Sequence, residues 1–224
     1  MLSHTQNEIL DGISASTLPL LLPCLHEPRP DGCSLSLHRC VITGDAVSTL
    51  AAQLHSLTGL QLAENVLKQG ALEQMSKLVH LTRLEMSYTE PDEAGGVLSL
   101  APLRSLNRLQ SLSLRGPGVC ADGLDECLER MPLRNLCLDD VLFPAPAPAL
   151  RSESLRHLDM RVNTSFPPLS PRDLPRLEVL SLRGLCLHHE SETLGTLEDQ
   201  IELLHPILGC FPSFMSGSTA SVEV

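Results

Sequence analysis

One pattern of apolar and polar residues recurs along most of this chain. Eleven-residue segments, mainly apolar at positions 1, 4, 6 and 11, begin at residues 32, 57, 81, 109, 133, 155 and 177, at intervals of 22 to 28 residues. The segment LTGLQLAENVL, which starts at Leu57, shows the pattern in full. Its central residues alternate between apolar and polar, as in a short strand with one buried face. A chain that repeats such a strand buries its leucines only if the copies stack on one another.

The composition agrees with a stack of similar layers. Leucine supplies 47 of the 224 residues, whereas Trp is absent, Tyr occurs once and Phe four times. The core must therefore consist of aliphatic side chains. Such a core favours a repeating layer over an irregular packing of aromatic rings.

The consensus of these segments is L-x-x-L-x-L-x-x-N/C-x-L, with Cys40, Asn65 and Asn163 at position 9. In this pattern and in its period the chain resembles the leucine-rich repeat family. The resemblance implies an α/β fold: a right-handed solenoid with a parallel inner sheet and helical or extended outer returns. The cysteine at position 9 and the mixed repeat lengths look like those of intracellular, ribonuclease-inhibitor-like members.

The period also suggests a domain organisation. Residues 32–210 form an array of about seven repeats, and residues 211–224 are expected to be a disordered tail. Residues 1–31 are interpreted as a partial repeat, because Asn7 and Ile9 sit where the tail of another repeat would place them. A chain that begins inside a repeat is either a fragment of a longer receptor or a protein with an uncapped amino-terminal edge, through which it could associate with itself.

Position 9 has a predicted structural role in the turn after each strand. There the backbone N–H and C=O groups lose their hydrogen-bond partners in the sheet, and a side-chain amide inside the turn can bond to them. Each buried group left without a partner costs about 1–3 kcal/mol. We expect Cys40, Asn65 and Asn163 to form this turn ladder. Thr89, Pro117, Val141 and Leu185 depart from the consensus, so their turns are expected to be less well satisfied.

The returns between strands fall into two kinds. Helices are predicted for 45–54, 67–78, 122–131 and about 190–208, with Asp45 and Asp122 as N-caps. The returns at 143–154 and 166–175 hold seven of the 17 prolines. Because proline removes a donor and blocks helix formation, these two returns are predicted to be extended or 3₁₀.

Charge and cysteine usage exclude several classes of function. The net charge is −11, from 16 basic and 27 acidic residues, so the chain lacks the basic footprint of a nucleic-acid or anionic-membrane binder. The sequence contains no run of 18 apolar residues, which is the length needed to span a bilayer. Eight cysteines occur without a CxxC pair, which favours free thiols and a cytoplasmic or nuclear location.

The sequence predicts no catalytic, metal or cofactor site. It contains no GxGxxG, P-loop, HExxH or GxSxG motif. Cys186, His188, His189 and Glu190 are potential ligands, but adjacent histidines point apart and no second pair follows at zinc-site spacing. An enzyme is the rival hypothesis, which a pocket lined by Cys137, His157 and Asp159 would favour.

The outward positions of the strands are the predicted working surface. Positions 2, 3, 5, 7 and 8 of the seven segments hold seven of the 14 arginines and six acids, a balance of +1 that leaves −12 for the rest of the chain. The predicted partner-binding residues on this concave face are Tyr88, Arg83, Arg115, Asp139, Arg161 and Arg183. Tyr88, the only tyrosine, is expected to lie beside Arg83 and Arg115. Alternatively, Asp139 could pair with Arg115 and Arg161 on either side, in which case the charges would only form a lateral ladder.

The predicted function is a non-catalytic scaffold that binds a protein partner on its concave face. Two alternatives stay open. The resemblance also implies the substrate-recognition part of a ubiquitin-ligase adaptor that lacks its F-box segment, or a fragment of a longer receptor.

Overall fold

The computed structural model describes residues 7–14, 17, 33–91, 96–145, 147–161, 169–170, 172–183 and 220–223. These residues form an α/β structure with one large parallel sheet and a few short helices. The strands are β1 (Asn7–Asp11), β2 (Cys33–His38), β3 (Val41–Ile42), β4 (Leu57–Ala63), β5 (Val66–Leu67), β6 (Arg83–Ser87), β7 (Glu90–Pro91), β8 (Leu98–Ser99), β9 (Ser111–Arg115), β10 (Val119–Cys120), β11 (Asn135–Asp139), β12 (His157–Arg161), β13 (Val179–Arg183) and β14 (Ala220–Glu223).

The longer strands form one sheet of nine, in the order β1-β2-β4-β6-β9-β11-β12-β13-β14. Every neighbouring pair is parallel, so the chain returns to the same end of the sheet before each new strand. The order in space is the order along the chain. The predicted α/β class with a parallel sheet is therefore confirmed.

The register of the sheet reproduces the sequence alignment of the seven segments. Residues at position 6 are direct partners across neighbouring strands, as are residues at position 4. Both sets are buried, and each leucine contributes about 1.5–3 kcal/mol through burial. The position 6 partners are Leu37, Leu62, Met86, Leu114, Leu138, Met160 and Leu182.

A single hydrophobic core runs beneath the sheet from Leu35 to Leu182. Its other wall comes from the returns, for example Leu50 and Leu103. Each layer thus covers the leucines of its neighbours, and one continuous core extends through the described part of the chain.

Within the described residues, a second, shorter ladder follows the turns after β2, β4, β6, β9 and β11, and it is interrupted once. The strands β3, β5 and β7 form one small sheet, while β8 pairs with β10 and Cys120 bridges to Leu142. The interruption falls in the 28-residue interval, the longest between any two successive segments. After this longer interval, β8 and not β7 pairs with β10.

In the described part of the chain, three α-helices and one 3₁₀ helix cover the core on the return side: α1 (Gly44–Gln53), α2 (Ala71–Met75), the 3₁₀ helix (Ala101–Ser105) and α3 (Leu124–Arg130). The predicted helices at 45–54 and 122–131 are confirmed, whereas 67–78 contains only the short α2. The predicted helix at 190–208 lies outside the described residues.

Both predicted N-caps are wrong. Thr43 caps α1, because its hydroxyl accepts a hydrogen bond from the Ala46 N–H at 3.1 Å. Gly123 precedes α3 in the left-handed conformation, and the Asp122 carboxylate instead accepts a hydrogen bond from the Ser99 hydroxyl at 2.9 Å. Thr43 lies two residues before the expected Asp45, and Gly123 lies one residue after the expected Asp122.

The proline-rich returns contain no helix in their described parts, residues 143–145, 147–156, 169–170 and 172–178. The prediction is that these returns are extended or 3₁₀; the absence of α-helix agrees with it, and residues 172–173 and 175–176 form turns. The returns therefore contain helices up to α3, and their described parts contain none after it.

The two edges of the sheet differ from the sequence expectation. Asn7 and Ile9 lie within β1 and not in a turn after a strand, since Ile9 pairs with Ser36 and Leu10 with Leu37. Ala220–Glu223 forms β14 beside β13. The prediction of disorder after Phe211 is therefore wrong for these four residues.

Candidate interaction face

The side chains at positions 3, 5 and 7 of β2, β4, β6, β9, β11, β12 and β13 lie opposite the core, and we call this surface the open face. Alternation along a strand places them there, because positions 4 and 6 point into the core. The helices contribute to the core and therefore lie on the other side of the sheet. Among the described residues, nothing covers the open face.

The middle row of the open face, at position 5, consists mainly of short polar side chains. The row is Ser36, Gln61, Glu85, Ser113, Cys137, Asp159 and Ser181. Some of its members are tied to neighbours: the Ser36 hydroxyl donates to Gln61 Oε1 at 3.0 Å, and Ser87 donates to Glu85 Oε1 at 3.4 Å. Side chains of mixed length flank the row, from Gly59 and Ala63 beside Gln61 to His157 and Arg161 beside Asp159.

The row at position 7 carries the charged residues that the sequence singled out. Arg115 pairs in register with Asp139, Asp139 with Arg161, and Arg161 with Arg183. Arg115 and Arg161 are exposed. Within the described residues neither forms an ion pair with Asp139, so the lateral ladder considered as an alternative is not formed. Two arginines therefore remain available at one end of the sheet. The Arg183 side chain lies outside the description.

Tyr88 stands at the same end of the sheet and is 58% exposed. Its backbone N–H donates to the carbonyl of Arg115 at 2.7 Å, and its ring lies against Gly116. A Cβ at Gly116 would meet Tyr88 Cδ1 at 3.0 Å, so the glycine makes room for the aromatic side chain. The expectation that Tyr88 also lies beside Arg83 is wrong. Arg83 begins the same strand, roughly 16 Å away at about 3.3 Å per residue.

A column of left-handed residues runs along this end of the sheet at position 8. The non-glycine members, Arg39, Glu64, Tyr88 and Asp140, have φ between 47° and 59°. Each N–H donates to the position 7 carbonyl of the next strand, as Glu64 does to Ser87 at 2.9 Å and Asp140 does to Arg161 at 2.9 Å. Each such residue costs on the order of 1–2 kcal/mol, which the hydrogen bond offsets. Sequence reasoning missed this column, although Gly12 and Gly116 at equivalent places are a signal for it.

The turn ladder at position 9 is present from β2 to β6. Asn65 is buried, accepts from the Cys40 N–H at 2.8 Å and donates to the Leu37 carbonyl at 2.8 Å. The Cys40 thiol points to the carbonyls of His38 and Leu10 at 3.2 and 3.8 Å. Both predicted roles are thereby supported, and Asn163 lies outside the described residues.

Thr89 belongs to the same ladder, contrary to the expectation that its turn is poorly satisfied. Its buried hydroxyl donates to the carbonyls of Leu62 at 3.3 Å and Ser87 at 3.4 Å. A threonine hydroxyl thus replaces the asparagine amide as donor. Pro117 and Val141 have no side-chain donor and cannot do so.

The remaining arginines of the predicted surface divide into paired and unpaired residues. Arg39 pairs with Asp11, and the hydrogen bond from its guanidinium lowers the pKa of that carboxyl. Arg156 pairs with Glu178. Arg83 and Arg134 are exposed and make no ion pair within the described part of the chain.

The enzyme hypothesis concerned Cys137, His157 and Asp159, and the sheet does bring them together. The Cys137 thiol lies 3.9 Å from Asp159 Oδ2, and His157 is two residues before Asp159 on β12. Burial raises the pKa of the Cys137 thiol, and the Asp159 carboxylate raises it further. A nucleophilic cysteine requires the opposite shift, toward the thiolate.

No metal site is evident where the structure can be described. No group of three or more His, Cys, Asp or Glu side chains there could hold an ion. The cluster Cys186, His188, His189 and Glu190 lies outside the described residues. The described cysteines are all free thiols: Cys33, Cys40, Cys120, Cys127 and Cys137.

Comparisons with known proteins add no family. No protein-family model matches the chain, and no curated protein matches it significantly. A search of the described helices for membrane spans also found none that is both long and apolar enough to cross a bilayer.

Proposed function

We propose that this chain is a leucine-rich repeat solenoid. Support comes from the register, in which the position 6 residues of seven segments are direct partners, and from the turn ladder of Cys40, Asn65 and Thr89. A right-handed coil with one strand per repeat accounts for both. It also accounts for the parallel order of the strands.

We propose further that the solenoid is a non-catalytic scaffold that binds a protein partner on the open face. The observation that carries this proposal is the state of Arg115 and Arg161. Both are exposed at the carboxyl ends of their strands, and neither is neutralised by Asp139, which is their neighbour in register. Arginines that have an acid beside them and do not pair with it keep their five donors for another molecule.

Arg115 and Arg161 form a patch with Tyr88, which follows β6, the strand next to β9. From β6 to β12 the patch spans three strand spacings, roughly 14 Å. Tyrosine and arginine are the residue types that most often dominate the energy of a protein interface. The patch therefore suits a partner with carboxylates opposite Arg115 and Arg161 and an apolar group opposite Tyr88.

The experiment compares three forms of the protein in affinity enrichment followed by titration of the purified partner. The open-face variant is Arg115→Glu/Arg161→Glu, and the control is Lys77→Glu/Arg108→Glu, which makes the same charge change on exposed residues of the returns. We expect the partner to bind wild type and control equally and to lose at least tenfold in affinity for the open-face variant. Equal binding to all three forms would contradict the proposal.

We propose a cytoplasmic or nuclear location, supported by the free thiols of the described cysteines. Disulfides form in oxidising compartments and are rare in the cytosol and nucleus. Labelling of the protein in intact cells with a membrane-permeant alkylating reagent tests this. Full disulfide formation would contradict it.

A further inference from the structure

A cleft of about 760 Å³ lies among the returns that precede β11, β12 and β13. Its walls come from the end of α3 and from residues 151–154 and 172–176. None of its lining residues belongs to the nine-stranded sheet, so the cleft is separate from the open face. It is in the size range of about 300–1,000 Å³ that ligand and peptide sites occupy.

The cleft exists because the returns change character at this point. α3 ends at Arg130, and the described parts of the next two returns contain no helix. Thin returns beside a helical one leave a step in the outer layer. Pro132 and Pro175 line this step and cannot supply backbone donors to close it.

Arginines from three successive returns line the cleft. They are Arg130, Arg151, Arg172 and Arg176, one quarter of the 16 basic residues of a chain with net charge −11. Of these four arginines, Arg151 alone forms an ion pair with a described residue: its Nε lies 3.4 Å from Asp173 Oδ1. The other three are exposed and form no ion pair with any described residue.

The acids of the cleft narrow the chemistry of its occupant. With Asp173 held by Arg151, Glu129 and Glu153 remain opposite three unpaired guanidinium groups. A nucleic acid presents an unbroken row of phosphates, which these two carboxylates would repel. A peptide can place its acidic side chains at the arginines and neutral ones at the glutamates.

We propose that this cleft is a second docking site, which binds an extended acidic segment of a partner protein. Carboxylates of the segment pair with Arg130, Arg172 and Arg176, whose planar guanidinium groups match a carboxylate in bidentate geometry. The apolar stems of its residues lie against the exposed Pro132 and Pro175. This site goes beyond the binding proposed for the open face and does not depend on it.

The test uses the full chain and a fluorescein-labelled decapeptide of alternating glutamate and alanine, with binding measured by fluorescence anisotropy. The cleft variant is Arg130→Gln/Arg172→Gln/Arg176→Gln, and the matched control is Arg104→Gln/Arg108→Gln/Arg134→Gln, three exposed arginines that belong neither to the cleft nor to the patch of Arg115 and Arg161. We expect the control to bind as wild type does and the cleft variant to bind at least tenfold more weakly. Because all six arginines are exposed, we expect unchanged melting curves for both.

A gain of affinity provides an independent check. Removing the two repelling carboxylates in Glu129→Gln/Glu153→Gln should strengthen peptide binding several-fold. The proposal is overturned if the peptide does not bind, if both arginine triples weaken it equally, or if an oligothymidylate of ten nucleotides binds the cleft as tightly as the peptide. It is also overturned if the glutamate variant binds no better than wild type.

Discussion

The part of the sheet from β2 to β6 and the part from β9 to β13 are built from the same repeat but are stabilised differently. In the first part, Cys40, Asn65 and Thr89 supply buried side-chain donors to the turns, and α1 and α2 cover the core. In the second part, Pro117 and Val141 supply none, and the described parts of the returns after α3 contain no helix.

The charged residues show the opposite distribution. Four arginines of the predicted surface lack an ion pair within the described chain, and three of them, Arg115, Arg134 and Arg161, belong to the second part, as does the cleft. Returns without helices and arginines without ion pairs reduce stability, but they leave polar groups free to bind another molecule. The buried turn ladder therefore lies in the first part, and most of the arginines without an ion pair among the described residues lie in the second.

The largest effect is expected from two glycines that precede helices in the two parts. Gly70 before α2 and Gly123 before α3 both have φ of 78°. A Cβ at Gly123 would meet Ala101 N at 2.7 Å, whereas one at Gly70 meets nothing within 4 Å. We expect Gly123→Ala to lower the free energy of unfolding by about 3 kcal/mol, from backbone strain and overpacking together, and Gly70→Ala by about 1 kcal/mol, from strain alone.

Urea unfolding of both variants measures this difference. If Gly70→Ala cost as much as Gly123→Ala, the strain at positive φ would explain both, and the close approach of the 3₁₀ helix to Gly123 would contribute nothing. The pair therefore separates conformational strain from packing.

The turn ladder should give a graded series of effects. Asn65→Ala leaves the Leu37 carbonyl and the Cys40 N–H without partners and should cost about 2–3 kcal/mol. Thr89→Val keeps the shape but removes the donor to the Leu62 carbonyl, at about 1 kcal/mol. Pro117→Ala, at an exposed residue without a donor, should stay within about 0.5 kcal/mol.

Thermal melts of these three variants check the series. Asn135→Ala, at an exposed position of the open face, is the control for removal of an asparagine and should leave the melt unchanged. If Asn65→Ala melted at the same temperature as wild type, the result would contradict the distinction drawn between the two parts of the sheet.

A smaller effect is expected at alkaline pH in the second part. Burial raises the pKa of the Cys127 thiol from 9.0 to about 12, and the nearby Glu126 and Asp125 carboxylates add to the shift. Since the folded pKa lies above the unfolded one, the stabilisation is complete below about pH 9 and is lost as the pH rises toward 12. We expect the melting temperature of wild type to fall more steeply over this range than that of Cys127→Ala. Parallel curves for the two proteins would contradict this assignment.

Periodicity predicted the large-scale features of the fold. The spacing of the leucines placed the core strands and their register, because a strand that buries alternate side chains has only one way to face the core. The sequence also predicted the charges of the open face. It did not predict the left-handed column, because Arg39, Glu64 and Tyr88 adopt a conformation that their residue types do not favour and that the neighbouring strand imposes.

The cleft was equally invisible in the sequence, because its arginines lie on returns that share no repeat position. Arg130 ends a helix, whereas Arg151, Arg172 and Arg176 lie in irregular segments. Only the stacking of three returns brings them to one surface. Similarly, the sequence placed Tyr88 beside Arg83, although the length of β6 separates them.

By itself, the sequence determined that leucines in segments recurring every 22 to 28 residues would lie in stacked parallel strands. The burial of aliphatic area is the main driving force of folding, and it depends only on which residues face inward. The tertiary structure alone decided which polar groups meet. Ion pairs and hydrogen bonds depend on distances of a few ångströms between residues far apart in the chain, as with Asp139, which lies between two arginines and pairs with neither.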